Sequence, residues 1–263
     1  MTAPCKPLTQ YRNLSMDKII MICADCEGDH HQIERIFNAF QEQKIKGNFF
    51  FVGKTAEENK SLVKEIAQIH NVDSHTYRHA NLRKFSKENQ REEILHGKHV
   101  VEEIIERPTY GFRAPYHAIN RDTVEILNEE KFIYDASVLY YRYNMKNVIE
   151  IYPSWFREWT GLYEFLHLSP RLNWKFTKLL FKLLNPLVIA VHPHYSGRNE
   201  VHTAAMVEFL TYAKEQNARI MTIPDYLREN KPGSFPIATK ATKDQNKDSA
   251  NSDNQGEGIG DRK

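Results

Sequence analysis

Short apolar runs alternate along most of this chain with longer stretches in which apolar residues recur every three or four positions. The short runs are IIMICA (19–24), NFFFV (48–52), YGFRA (110–114), FIYDAS (132–137), VIEIY (148–152), LVIAV (187–191) and RIMTI (219–223). Apolar runs of this length predict strands buried on both faces. Between them, residues 32–43 carry Ile33, Ile36, Phe37 and Phe40 at helical spacing. Residues 87–107 carry Ile94, Val101, Ile104 and Ile105, with Ser86 placed to cap the helix start. Residues 203–216 carry Met206, Phe209, Leu210 and Ala213. Strands alternating with helices predict a mostly parallel sheet with crossover helices. Seven or eight such units predict an α/β barrel of the TIM type, with working residues at the C-terminal ends of the strands.

The ends of the chain break the pattern. Residues 232–263 are rich in Ser, Asn, Asp, Lys and Gly and almost free of large apolar side chains, which predicts a disordered tail. Residues 1–16 read as an N-terminal arm, leaving 17–231 as the barrel. Composition then narrows the function. Among 263 residues, 36 Lys and Arg stand against 34 Asp and Glu, a net charge of +2, which argues against a nucleic-acid partner. Three Cys are too few for a disulfide scaffold. No run reaches the roughly 18 apolar residues of a membrane span. The first residues lack the apolar core of a secretory signal, so the expected location is the cytoplasm.

The barrel rule can be tested against the polar residues. Asp25-Cys26-Glu27-Gly28-Asp29 follows the first strand, and His75 and His79 (HTYRH) follow the third. Arg113, Pro115 and Tyr116 end YGFRA, Asp135 ends FIYD, and His192 (in HPH) follows LVIAV. Singly, each has a bland reading: Asp25 and Glu27 as turn residues, Arg113 and Asp135 as an ion pair, His192 as a core histidine. At i, i+4, His75 and His79 would share one face of a helical turn. Together, five strand ends carry the residue types that bind metals and move protons.

These motifs resemble the polysaccharide deacetylases, carbohydrate esterase family 4, also called the NodB homology domain. FRAPY followed by a helix and YDASV, with HTYRH upstream and GNFFFVG as second strand, carries the resemblance over about 17–230. It implies a distorted (β/α) barrel of seven or eight strands. It also implies a hydrolase of carbon–nitrogen bonds in linear amides that removes N-acetyl groups from amino sugars. Carried over by position, His75, His79 and a carboxylate, Glu27, hold a divalent metal, with Asp25 the general base. Arg113 holds that base, Asp135 holds Arg113, the Tyr116 backbone N–H binds the oxyanion, and His192 is the general acid. Zinc is the default metal, and Fe, Co or Ni suits the same donors. The expected partner is an N-acetylated sugar or glycan precursor, with Pro115 and Trp155 in its binding site. Trp155 and Trp159, after the strand that contains Glu150, have two readings: an aromatic platform for a sugar ring, or side chains packed under a loop.

The first motif departs from the family's commonest pattern of two adjacent Asp before Gly. Asp29 is an alternative carboxylate, His194 an alternative acid, and an alignment on Gly28 would put Cys26 at the base position. A thiol there predicts an inactive, carbohydrate-binding paralogue. A same-fold amidohydrolase on a small non-sugar C–N bond such as a ureide is the other alternative. Residues 172–184, LNWKFTKLLFKLL, set Lys175, Lys178 and Lys182 on one helix face, with Phe176, Leu179, Leu180 and Leu183 on the other. The favoured reading is an outer barrel helix packing inward, and the alternative is peripheral contact with a membrane.

Overall fold

Among the described residues, eight parallel strands build the barrel wall: β1 (Ile19–Cys26), β2 (Asn48–Phe51), β3 (Asn71–Ser74), β4 (Gly111–Phe112), β5 (Tyr134–Asp135), β6 (Ile149–Glu150), β7 (Leu187–Val191) and β8 (Arg219–Ile220). The computed structural model describes residues 17–137, 145, 147–154 and 169–235. Residues 1–16, Trp155, Trp159 and the chain beyond 235 lie outside the described residues. Around the wall stand α1 (His30–Glu42), α2 (Gly53–Glu58), α3 (Lys60–Ile69), α4 (Lys87–Ile105) and α5 (Arg121–Glu129). After them come α6 (Pro170–Leu183), α7 (Pro193–Ser196), α8 (Glu200–Glu215) and α9 (Ile223–Asn230).

The strand order is β6-β5-β4-β3-β2-β1-β7, with β8 pairing the first residues of β1. The two outer strands meet through one residue. Ser154 donates its N–H to the Val188 carbonyl at 2.8 Å, and its hydroxyl accepts from the Val188 N–H at 2.9 Å. The wall is thus a distorted barrel, as the sequence predicts. It is firm on the β7–β1–β2–β3 side and thin from β4 to β6, where each strand pairs over two residues. YGFRA and FIYDAS leave the ladder early because the Ala114 N–H bonds the Ser137 hydroxyl instead of a neighbouring strand, at 2.8 Å.

Alternation along each strand divides the interior in two. Ile20, Ile22, Ala24 and Cys26 of β1, with Phe49 and Phe51 of β2, face outward and pack against Ile33, Phe37 and Phe40 of α1 and Phe209 and Leu210 of α8. Met21 and Cys23 of β1 and Phe50 of β2 face the barrel interior with Tyr134 and Val188. Both faces are buried, so these strands read as unbroken apolar runs. Ile223 and Leu227 of α9 plug the bottom of the barrel from below. The helix starts follow capping chemistry: Asp29 accepts from the His31 N–H, Ser86 from the Asn89 N–H, and Asn199 from the His202 N–H.

Candidate active site

The exit of β1 sorts three neighbouring residues by the pleat. Asp25 lies on the interior face and is 3% exposed. Cys26 points the opposite way into the apolar layer beneath α1. Burial, and then the nearby Asp25 and Glu27 charges, push the Cys26 thiol well above its usual range. The chain then turns at Gly28, whose φ of 93° suits glycine. Asp29 lies beyond that turn with one carboxylate oxygen on the first N–H groups of α1. Of the acidic candidates, Asp25 and Glu27 therefore face the mouth, while Asp29 caps a helix.

Asp25 takes a 2.8 Å hydrogen bond on Oδ1 from Nη1 of Arg113, and its Oδ2 lies 3.8 Å from Nε2 of His192. Arg113 is fully buried, its guanidinium 4.7 Å from the Phe50 ring centre. Burial alone would raise the Asp25 carboxyl. The Arg113 charge, followed by His75 and His192, outweighs it and holds the group below the usual carboxylate range.

His75 and His79 come together by a route other than a helical turn. Residues 75–79 form a loop in which Thr76 and His79 take φ of 63° and 59°, and no helix forms there. Neighbours impose that path. The His75 N–H bonds the Phe51 carbonyl, the Gly53 N–H the Thr76 carbonyl, and the Lys54 N–H the Tyr77 carbonyl. The Arg78 backbone and side chain both bond Glu93 of α4. Gly97 of α4 presses on the same loop: a Cβ there would lie 2.4 Å from the Thr76 carbonyl carbon. The rings of His75 and His79 end 5.2 Å apart. Ligand atoms of Glu27, His75 and His79 all lie within 4.8 Å of one another. Glu27 contacts His79 directly, and its other oxygen lies 3.5 Å from Nδ1 of His194. Nδ1 of His75 donates to the Arg113 carbonyl at 2.8 Å, which leaves Nε2 with its lone pair. Burial lowers His75 to about 4.

The third wall of the mouth is the turn after β4. Pro115 is buried at the start of a 3₁₀ turn, Pro115–His117, and sets its backbone rather than exposing its ring. Tyr116 follows with φ 57°, 61% exposed, its ring 4.8 Å from that of His79. The backbone explains this placement. Eight described non-glycine residues have positive φ. Four of them, Lys44, Glu106, Lys131 and Asn217, sit just past helix C-termini, where left-handed residues are common. The other four, Thr76, His79, Tyr116 and His117, all line this mouth, where such strain has no capping role.

Asp135 stands one strand away. Its carboxylate accepts from the Ser137 hydroxyl, and no hydrogen bond joins it to Arg113. The second bond of Arg113 runs from Nε to the Ala136 carbonyl at 2.9 Å. Burial pushes the Asp135 carboxyl up to about 6. Ser137, which bridges Asp135 and the Ala114 N–H, was not among the residues singled out in the sequence. Its position two residues after Asp135, on the same strand face, is the signal that points to it. Trp155 lies outside the described residues.

A buried carboxylate facing a histidine, beside two imidazoles and a second carboxylate at the C-terminal mouth of a parallel barrel, is an arrangement suited to hydrolysis. Residues 15–133 match the sequence profile described as polysaccharide deacetylase. Two peptidoglycan-N-acetylglucosamine deacetylases of Bacillus cereus are similar to this chain. One is 27% identical over 100 residues, 38% of this chain and 36% of that protein. The other is 23% identical over 216 residues, 81% of this chain and 89% of that protein. The chain thus spans about a third of the first and most of the second. A carbohydrate esterase family 4 pseudoenzyme from Bacillus anthracis has the same fold, with a TM-score of 0.62 at 17% identity over 81% of this chain and 66% of that one. Over residues 15–133, a little under half of its length, the chain is similar to the polysaccharide deacetylases. No helix among the described residues is long and apolar enough to cross a membrane.

Proposed function

We propose that this chain is a divalent-metal-dependent N-deacetylase of an N-acetylated amino sugar or glycan precursor. The observation that carries the reading is the convergence of Glu27, His75 and His79 beside the Asp25–His192 pair. The donor set suits a metal. His75 is locked in the tautomer that aims Nε2 away from its backbone partner, and burial keeps it neutral near pH 7. Two imidazoles and one carboxylate favour zinc, and serve Fe, Co or Ni as well. A metal held there supplies Lewis acidity, polarising the amide carbonyl and acidifying a water.

The protein supplies the rest. Asp25, kept ionised by Arg113, accepts the proton of the attacking water on the oxygen that faces His192. The Tyr116 N–H makes no backbone hydrogen bond and is offered to the developing oxyanion. His192 delivers a proton to the departing amine, a poor leaving group without one. His194 stands over Glu27 and not over Asp25, which favours His192 as the acid. The inactive reading rests on Cys26, and the position of that thiol in the outer layer weighs against it.

The Bacillus cereus relatives are named for N-acetylglucosamine in peptidoglycan, so glycans of that sugar head the substrate panel. The test joins metal analysis to acetate release. The purified protein is expected to hold about one transition metal, to release acetate from one panel member, and to lose both on chelation or in His75→Ala. Undiminished acetate release from metal-free protein would refute the metal role. Metal-free protein that takes up no metal and releases no acetate would favour the pseudoenzyme reading.

A further inference from the structure

The helix α6 carries three sectors where an outer barrel helix needs two. Asn173, Trp174, Thr177, Leu180 and Phe181 are buried, Trp174 and Phe181 against Phe209 of α8. A second sector holds Arg171, Lys175, Lys178 and Lys182, and no acidic residue occurs on the helix. Between them runs a third, apolar and in the open: Phe176 is 53% exposed, Leu179 53% and Leu183 70%, with Leu172 half-buried above them. These positions fall on successive turns, so they form one stripe. Three of the seven exposed large hydrophobic residues of the described protein lie in it. The inward packing expected from the sequence therefore accounts for Leu180 and leaves Phe176, Leu179 and Leu183 uncovered. By contrast, the exposed face of α4 is polar, with Glu88, Asn89, Glu92, His96, His99 and Glu103.

We propose that this face of α6 docks the protein on the surface of a bilayer that contains anionic lipid. Charge selects the occupant. Arg171 is paired with Glu208 and Lys178 lies over the Tyr212 ring, but both remain beside the stripe with Lys175 and Lys182. Lys18 adds a fifth cation, its ammonium on the carbonyls of Lys182 and Leu184 at the helix end. A second copy of this chain would bring the same cations against them. An anionic headgroup layer complements the cations and receives Phe and Leu side chains just beneath it, the arrangement of an interfacial helix. The lysine stems can lie along the same apolar surface with their ammonium groups in the headgroups.

Topology gives the orientation. Leu183 precedes β7 by three residues, and β7 runs from there to His192 at the mouth. The stripe therefore descends the barrel wall toward the end remote from the mouth. Docking there leaves the mouth open to one side, so the proposal stands independently of the reaction carried out.

The test is flotation with vesicles of pure phosphatidylcholine and vesicles that also contain phosphatidylserine. The wild type is expected to float with the anionic vesicles alone and to release as salt shortens the Debye length. Combined Lys175→Gln, Lys178→Gln and Lys182→Gln should weaken binding roughly 100-fold, at about fivefold per lysine. Combined Phe176→Ser, Leu179→Ser and Leu183→Ser should abolish it while the melting temperature stays within a few degrees. If the serine variant fails to fold, the lysine variant carries the test alone, since those side chains are at the surface. No flotation of the wild type at low salt, as when another part of this chain covers the stripe, would overturn the proposal. Equal flotation of a folded variant and the wild type would do the same, as would a wild-type dimer that the serine variant dissolves.

Discussion

Two aspartates, each inside the barrel and each almost without solvent exposure, meet opposite fates. Asp73 lies on β3 and is 2% exposed. One of its oxygens accepts from the Tyr110 and Gly111 N–H groups at 3.1 and 2.9 Å, and the other from the Asn71 amide and the Tyr134 hydroxyl. The network continues through Asn48, which donates to the Ile22 carbonyl and accepts from the Ile223 N–H at the start of α9. Asp25, two strands away, has one cationic donor on one oxygen and a histidine at 3.8 Å from the other. Around it several buried polar atoms lack a partner: Arg113 Nη2, Ser74 Oγ, Thr76 Oγ1 and Asp135 Oδ2. A saturated cluster of this kind stabilises the fold, whereas the proposed mechanism needs an oxygen of Asp25 free to take a proton. Burial alone does not tell a structural carboxylate from a catalytic one.

The comparison breaks hardest on Asp25→Asn. The substitution keeps a hydrogen-bond acceptor for Arg113 and removes the basic oxygen. Under the proposed mechanism kcat falls about 10²- to 10⁴-fold, the range of a general base, with KM little changed. Steady-state acetate release, on protein shown by circular dichroism to be folded, checks it. A residual rate within a few-fold of wild type would remove Asp25 from the chemistry and make it a second structural aspartate.

Asp73→Asn is the converse. An amide NH2 would face two groups that now donate, so one buried pair loses its bond. The expected cost is about 2 kcal/mol, measured by urea unfolding, with kcat per folded molecule unchanged. A large fall in kcat without loss of stability would mean that the Asp73 cluster reaches the site.

The mouth was more legible in the sequence than the Asp73 cluster. Barrel topology sends every strand exit to one end, so DCEGD, HTYRH, FRAPY, YDAS and HPH could be placed together without coordinates. The pleat also separates Asp25 from Cys26 once β1 is located. What escaped was geometry that only tertiary contacts fix. The spacing of His75 and His79 suits a helix equally well, and the choice of a loop comes from Gly53, Glu93 and Gly97, remote in sequence. Glu27 and Asp29 have the same chemistry, and the turn at Gly28 decides which one caps α1. The Asp73 network left no mark because Asn71, Asp73 and Tyr134 are ordinary residues within strand runs, joined only by the parallel register.

Asp135 lies between the two cases, and the smallest effect sharpens where it belongs. The resemblance to the family gives it the task of holding Arg113, yet its carboxylate bonds Ser137 while Arg113 turns to the Ala136 carbonyl. Burial raises the Asp135 carboxyl from an ordinary value of 3.8 to about 6. Between these two values the folded protein holds a proton that the unfolded chain releases. The contribution of this group to stability is therefore complete below about pH 4 and is lost as pH rises through about 6. Asp25 has the opposite sign. Its folded value lies below the ordinary one, so its contribution is present above about pH 4 and is lost as pH falls further. Urea unfolding of wild type and Asp135→Asn across pH 3–7 separates them. The variant should lose the decline between about pH 4 and 6, keep the acid limb that belongs to Asp25, and change kcat at neutral pH by no more than about tenfold. A loss of kcat as large as that of Asp25→Asn, with the decline intact, would instead make Asp135 a working partner of Arg113 and place it with the open cluster.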